Sequence, residues 1–323
     1  MLTTDLGGGV HTIDTLMSGY SGITAGYLVL SERPCLVETG TARSAPVVQA
    51  ALAEHGLGPE DLATVVVTHI HLDHAGGVGD IAAAYPKAEV VVHELGARHL
   101  VDPSKLMASA QRVYGPLMDE VFGPLLPTPE QRVRAVGDQA SIDLGGGRTL
   151  SVRYSPGHAK HHVGLFDDST GDLYVGDAAG IYVPEVDLLR PATPPPDFDL
   201  DVALASIALF QDMAPARLLF SHYGPVSHVD DILERSVEEI RLWVELVGEA
   251  RGNELDLDHA VGLVRERTAE RYAAIRTDPE LDEKFERLNS FAANIVGINR
   301  WLDKVEGRTY DFGDAAGPPP LAG

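Results

Sequence analysis

Residues 65–77 read VVVTHIHLDHAGG, and few stretches constrain a chain more. Three β-branched apolar residues form a short run of the kind that makes a strand buried on both faces. The run ends directly in His69, His71, Asp73 and His74, followed by Gly76 and Gly77. In extended backbone, side chains two positions apart face the same way, so His69 and His71 can share one ion. The glycine turn then re-aims Asp73 and His74 toward a neighbouring ion.

Three later apolar runs end in the same chemistry. RYSPGH delivers His158, LYVGD delivers Asp177, and LLFSH delivers His222. If those strand ends lie along one sheet edge, seven metal-binding side chains converge, more than one ion takes from protein. The surplus is solved by two divalent ions: His69, His71 and His158 on one, Asp73, His74 and His222 on the other, with Asp177 bridging. Imidazole and carboxylate without thiolate suit Zn²⁺ first, with Fe or Mn as alternatives, and argue against a structural zinc finger. Two such ions roughly 3.5–4 Å apart hold a bridging hydroxide at neutral pH and polarise a carbonyl or phosphoryl oxygen, which is metal-assisted hydrolysis. Asp73 reads as a ligand that either only ligates or is also a catalytic proton shuttle to the leaving group.

The rest of the chain reads as α/β. ITAGYLVL and CLVE around the turn SERP make a hairpin. Helical spacing covers 47–55 and stops at Gly56. A short helix at 81–85 leads to a strand at 88–92, and this alternation suggests a layered fold. Residues 94–135 carry scattered prolines and helical fragments and read as an insertion able to cover a site. Strands follow at 140–143, 149–154, 163–166, 173–175 and 217–220. TPPPD at 193–197 is a stiff connector into a helix over 199–213. Beyond His222 the pattern is helical, over 230–247, 259–275 and 280–305. The domain reading is therefore residues 1–226 as catalytic domain, 227–310 as helical extension and 311–323 as a disordered tail.

The formal net charge of −23 argues against a nucleic-acid partner and against anionic membrane surfaces. No run of 18 apolar residues suggests a span, and the N-terminus lacks the features of a secretory signal. The single cysteine, Cys35, forbids an internal disulfide and fits a cytoplasmic location. Gly145–Gly147 lacks the Lys-Ser/Thr ending of a phosphate loop and reads as a hairpin turn.

The pattern H-x-H-x-D-H at 69–74, followed in order by His158, Asp177 and His222, resembles the metallo-β-lactamase superfamily of dinuclear hydrolases. ETG at 38–40 resembles that family's early strand ending, usually DTG. SPGHAKHH at 155–162 is similar to the T-P-G-H-x-x-x-H run of glyoxalase II. The resemblance covers about residues 10–225. It implies a four-layer αβ/βα sandwich with the metals at the shared edge. It implies that Glu38 and His162 support the ligands from behind, and that His158 rather than its neighbours is the ligand; His161 is read as a surface residue. Asp177 is present and no cysteine stands at the site, unlike the commonest zinc β-lactamases. His71 stands where flavodiiron proteins usually have Glu, and the charge disfavours the nucleases. The glyoxalase II-like and lactonase-like branch is left, with a small carboxylic ester, thioester or lactone as substrate. A mononuclear iron persulfide dioxygenase and a phosphodiesterase are the alternatives. Tyr182 and Tyr223 follow two ligand segments and could hydrogen-bond a substrate oxygen, or could simply pack in the core. The C-terminal helices read either as a substrate-binding wall or as an element for packing or for dimerisation, which would make a homodimer.

Overall fold

The computed structural model describes residues 2–313. The chain divides into two compact units: Met1–Pro156, Lys160–Gly176 and Ala214–Val229 in the first, and Gly157–Ala159, Asp177–Met213 and Asp230–Gly323 in the second.

The first unit holds two sheets. One is seven-stranded and runs in chain order: β1 (Thr3–Asp5), β2 (Val10–Asp14), β3 (Ala25–Val29), β4 (Cys35–Val37), β5 (Thr64–Val66), β6 (Glu89–His93) and β7 (Val133–Val136). β1 to β4 are antiparallel neighbours; β4 to β7 are parallel. Parallel strands need crossovers. Helix α1 (Ala45–Glu54) supplies the first, and α2 (Leu72–Ala75) with α3 (Val78–Ala84) the second. The third is the 94–135 segment, which carries α4 (Glu94–Val101) and α5 (Ser104–Tyr114).

The second sheet is built from β8 (Ser141–Asp143), β9 (Thr149–Tyr154), β10 (Val163–Asp167) and β11 (Asp172–Gly176). A separate hairpin in the second unit, β12 (Ile181–Val183) and β13 (Leu188–Arg190), intervenes in sequence. Then β14 (Arg217–Phe220) joins β11 in parallel and β15 (Pro225–Val226) closes the edge.

One core lies between these two sheets. Tyr27, Val29, Val37, Val66 and Val91 of the first meet Val152, Val163, Leu165, Tyr174 and Leu219 of the second. The alternate residues Leu28, Leu36, Val65, Val90 and Val92 are buried too. VVV is thus buried on both faces, as its composition requires. Cys35 lies inside this core, and burial pushes its thiol pKa well up. Tyr27 donates its hydroxyl to the Phe220 carbonyl and meets Tyr174 edge-on at 5.4 Å.

Two carboxylates on the second sheet are buried and paired. Asp167 accepts from Arg148 Nε at 3.0 Å and Asp172 from Arg217 Nη2 at 2.7 Å. Removing one partner of such a pair strands the other. Arg148→Met is expected to cost about 3–5 kcal/mol in urea unfolding. Arg148→Met/Asp167→Leu should recover most of that, and a double variant no more stable than the single would refute the pairing account.

In the second unit, α6 (Leu200–Asp212) starts at Asp199, whose carboxylate accepts from Val202 N. α7 (Val229–Gly252), α8 (Leu257–Arg267), α9 (Pro279–Leu288) and α10 (Phe291–Glu306) follow. The single helix read over 280–305 is two, because Ser290 caps α10 by accepting from Ala293 N at 3.0 Å. The helix read over 259–275 ends at Arg267. Asn294 and Asn299 are structural: Asn294 Oδ1 accepts from Thr193 N at 2.6 Å, and Asn299 Oδ1 from Arg251 Nη1 at 2.6 Å. Of the segment expected to be a disordered tail, residues 314–323 lie outside the described residues. Phe312, in its first part, is buried, and its carbonyl accepts from Leu257 N.

Candidate metal centre

β5 ends at Val66, the chain bends at Thr68, and His71, in extended backbone, precedes α2. This turn is fixed from behind by the ETG segment. Glu38 Oε1 accepts from Thr68 N at 2.7 Å, and Glu38 Oε2 lies 3.2 Å from His74 Nδ1. Thr39 donates both its N–H and its hydroxyl to the His74 carbonyl, each at 2.9 Å. Glu38 adopts φ +64°, the left-handed region that a side chain enters only when its surroundings hold it there. Gly76 has an ordinary helical φ of −57°. What requires glycine is space: a Cβ there would stand 2.9 Å from Thr41 Cα and Ala42 N.

His69 Nδ1 contacts Thr68 Oγ1 at 3.0 Å and His69 Nε2 contacts His71 Nδ1 at 3.1 Å, so the two rings meet. One turn later, Asp73 Oδ2 is 3.5 Å from His74 Nε2 and 3.6 Å from His222 Nε2. His222 arrives from the end of β14, where Thr24 bridges to it and the Ile23 carbonyl contacts its Nδ1 at 3.1 Å. A carbonyl can only accept, so Nδ1 donates and Nε2 is the nitrogen turned to Asp73. One ligand atom each of Asp73, His74 and His222 lies within 4.8 Å of the others, the spacing of a cation site. His74 and His222 are buried, while Asp73 keeps 19% of its side chain exposed.

Two further expected ligands belong to the second unit. His158 Nδ1 contacts the Ala192 carbonyl at 3.0 Å, and its Nε2 lies 3.6 Å from Asp177 Oδ2. The same tautomer logic applies: a backbone oxygen holds Nδ1 and turns Nε2 toward the carboxylate. Gly157 precedes His158 at φ +127°, and a Cβ there would stand 2.4 Å from Ala203 Cα, so only glycine allows this approach.

His162 is fully buried. Its Nδ1 contacts Ser155 Oγ at 2.9 Å, and its ring centroid is 5.2 Å from that of His69. His161, read as a surface residue, is instead beside the site. Its Nδ1 accepts from Ile70 N at 3.4 Å, and its ring lies 5.9 Å from His71 and 6.2 Å from His69. The doubled histidine of SPGHAKHH was the available signal. Tyr182 donates its hydroxyl to Asp187 Oδ1 at 3.1 Å, with Arg235 Cζ 5.8 Å from its ring centroid; burial, then Asp187, push its pKa up. Tyr223 sits at φ +61° and its N–H donates to Ile23.

The metallo-beta-lactamase superfamily model matches residues 20–222. The metallo-beta-lactamase fold-containing protein ST1585 of Sulfurisphaera tokodaii is 30% identical over 253 residues, 75% of this chain and 90% of that one. The crystal structure of ST1585 from Sulfolobus tokodaii superposes with a TM-score of 0.62 at 28% identity, covering 72% of this chain and 86% of that chain. A hydroxyacylglutathione hydrolase of Synechococcus sp. is 28% identical over 162 residues, 47% of this chain and 48% of that one. The chain belongs to the metallo-beta-lactamase superfamily. It has that family's α/β sandwich with a helical C-terminal stretch, and it is a metallo-hydrolase of that fold. No helix among the described residues is long and apolar enough to cross a membrane.

Proposed function

We propose that the protein is a dinuclear metal-dependent hydrolase of a small carboxylic ester, thioester or lactone. The observation that carries this reading is the Asp73–His74–His222 group, with two buried imidazoles turning Nε2 toward one carboxylate. The donor set fits a divalent ion of borderline softness, Zn²⁺ before Fe or Mn. In this reading His69, His71 and His158 hold one ion, Asp73, His74 and His222 the other, and Asp177 is shared. Bound there, two ions would acidify a water toward neutrality and polarise a carbonyl oxygen.

The chain's own residues do the rest. Glu38 and the carbonyls of Ile23 and Ala192 set the tautomers of His74, His222 and His158. His162 packs behind His69. Asp73, the part-exposed carboxylate, is placed to pass a proton to the leaving group. Tyr182 and Tyr223 enter the reading as substrate contacts, and the Tyr182 hydroxyl would have to leave Asp187 to serve. The catalytic part spans 1–226 and the helical extension 227–310. A small-molecule substrate and a cytoplasmic setting complete the proposal; the name of the hydroxyacylglutathione hydrolase relative favours a thioester.

Elemental analysis of the purified chain together with a panel of esters, thioesters and lactones tests it. Two ions per chain and hydrolysis of at least one class are expected. About one iron per chain with thiol-dependent oxygen uptake would replace it with a persulfide dioxygenase.

A further inference from the structure

Six large apolar side chains are exposed among the described residues, and four of them, Leu95, Val113, Tyr114 and Leu126, lie within residues 94–135. Helix α5 concentrates the effect. Leu106, Met107, Ala110, Val113 and Tyr114 recur at helical spacing and form one stripe. A surface helix normally turns such a stripe to the core, yet here only Ala110 is buried, and Val113 is 68% exposed. Grouped exposed apolar residues mark a binding surface.

The segment is fastened around the ligand turn. At its start, Gly96 packs where a Cβ would lie 2.9 Å from Ile70 Cγ2, between His69 and His71, and 3.7 Å from His161 Cβ. At its far end, Leu126 crosses Gly79 of α3, where a Cβ would stand 2.2 Å from the Leu126 carbonyl. In its middle, Arg43 Nε donates to the Asp119 carbonyl, and Gly123 packs on Arg43 and Ala42. Phe122 holds Tyr114, with ring centroids 4.7 Å apart. Tyr114 keeps 41% of its surface open. Burial, and then the Asp73 carboxylate, push its pKa up to about 12.

We propose that the α5 stripe, with Val113 and Tyr114 at its inner end, receives the apolar acyl chain of the substrate, so that the enzyme prefers medium and long acyl groups over acetyl. This rests on the hydrolase reading above. The stripe runs about 12 Å from Leu106 to Tyr114, whose ring meets Phe122 next to the Gly123 that packs on Ala42 beside the ligand turn, which places it in line with an acyl chain whose carbonyl is at the ligands. A protein partner would need about 800 Å² per side, far more than two helical turns offer.

Acyl esters and thioesters of two to twelve carbons test the proposal through the ratio of kcat/KM for octanoyl to acetyl. That ratio is internal to each preparation and independent of the folded fraction. Each methylene buried is worth roughly a fourfold gain, so about three methylenes on the stripe give a ratio of about 60. Val113→Ser/Tyr114→Ser should lower the ratio at least about tenfold, while Val113→Leu/Tyr114→Phe, which keeps the apolar surface, retains it. A flat chain-length profile in the wild type, or an unchanged ratio in the serine variant, overturns the inference and leaves the hydrolase reading standing. No hydrolysis of any ester, thioester or lactone overturns both.

Discussion

The His71→Ala/His158→Ala double variant is expected to lose hydrolysis by about 10³-fold or more and to retain about one ion of two. Lewis-acid stabilisation of the developing charge is worth several kcal/mol, and each 1.36 kcal/mol is tenfold in rate. Both imidazoles belong to the proposed first ion, and His69 with the shared Asp177 is too few protein ligands to hold it against water. His71 is half-buried but His158 is buried, so the thermal midpoint is the control that separates lost metal from lost folding. Asp73→Asn on the same panel separates the roles. If Asp73 also passes a proton to the leaving group, the variant loses more rate on esters with poor leaving groups than on activated ones. Retention of hydrolysis within tenfold by the double variant would sink the dinuclear reading, and a thermal midpoint collapsed with activity would assign the loss to folding instead.

The ligand turn was legible because its chemistry and its backbone period coincide. Val65, Val66 and Val67 announce a strand buried on both faces, and His69 and His71 follow its end directly. The hairpin of β3 and β4 and the capped helix α6 were legible for similar reasons: an apolar run with turn residues, and an aspartate that accepts from the third residue on. What the sequence hid has physical causes. β1, β2 and β7 are not among the expected strands: β1 is three polar residues, and β7 (VRAV) is four residues of which only Val136 is buried. In β2 only Val10 and Ile13 are fully buried, which breaks strict alternation. Ser290 looks like any polar residue within a helical pattern until its hydroxyl is seen capping α10. His161 looks like a surface residue because nothing local says that α4 brings Gly96 and Ile70 against it. The roles of Glu38 and His162 came only from a resemblance, since a lone carboxylate after a strand has many uses. Its contact with Thr68 spans thirty positions in sequence, beyond any periodic pattern.

Glu38→Ala is expected to destabilise the protein by about 3–5 kcal/mol and to weaken metal binding about 10–100-fold. Two costs add. The Thr68 N–H, bonded at 2.7 Å, loses its acceptor in a site where Glu38 is 2% exposed. His74 Nδ1 loses the carboxylate 3.2 Å away that fixes its ring and turns Nε2 toward Asp73. A third term separates from these. Position 38 holds φ +64°, where alanine is strained by roughly 1–2 kcal/mol and glycine is not. Glu38→Gly should therefore be as poor as Glu38→Ala in metal affinity but more stable by about that amount. Glu38→Asp, one methylene shorter, should restore part of the affinity, since it keeps a carboxylate facing Thr68 and His74. Urea unfolding of the metal-free variants reads the backbone and hydrogen-bond terms. Competitive titration with a chromophoric chelator reads the imidazole term. If Glu38→Ala and Glu38→Gly bind metal as tightly as the wild type, the carboxylate does not orient His74, and its only work is to hold the ETG turn against the start of the ligand segment.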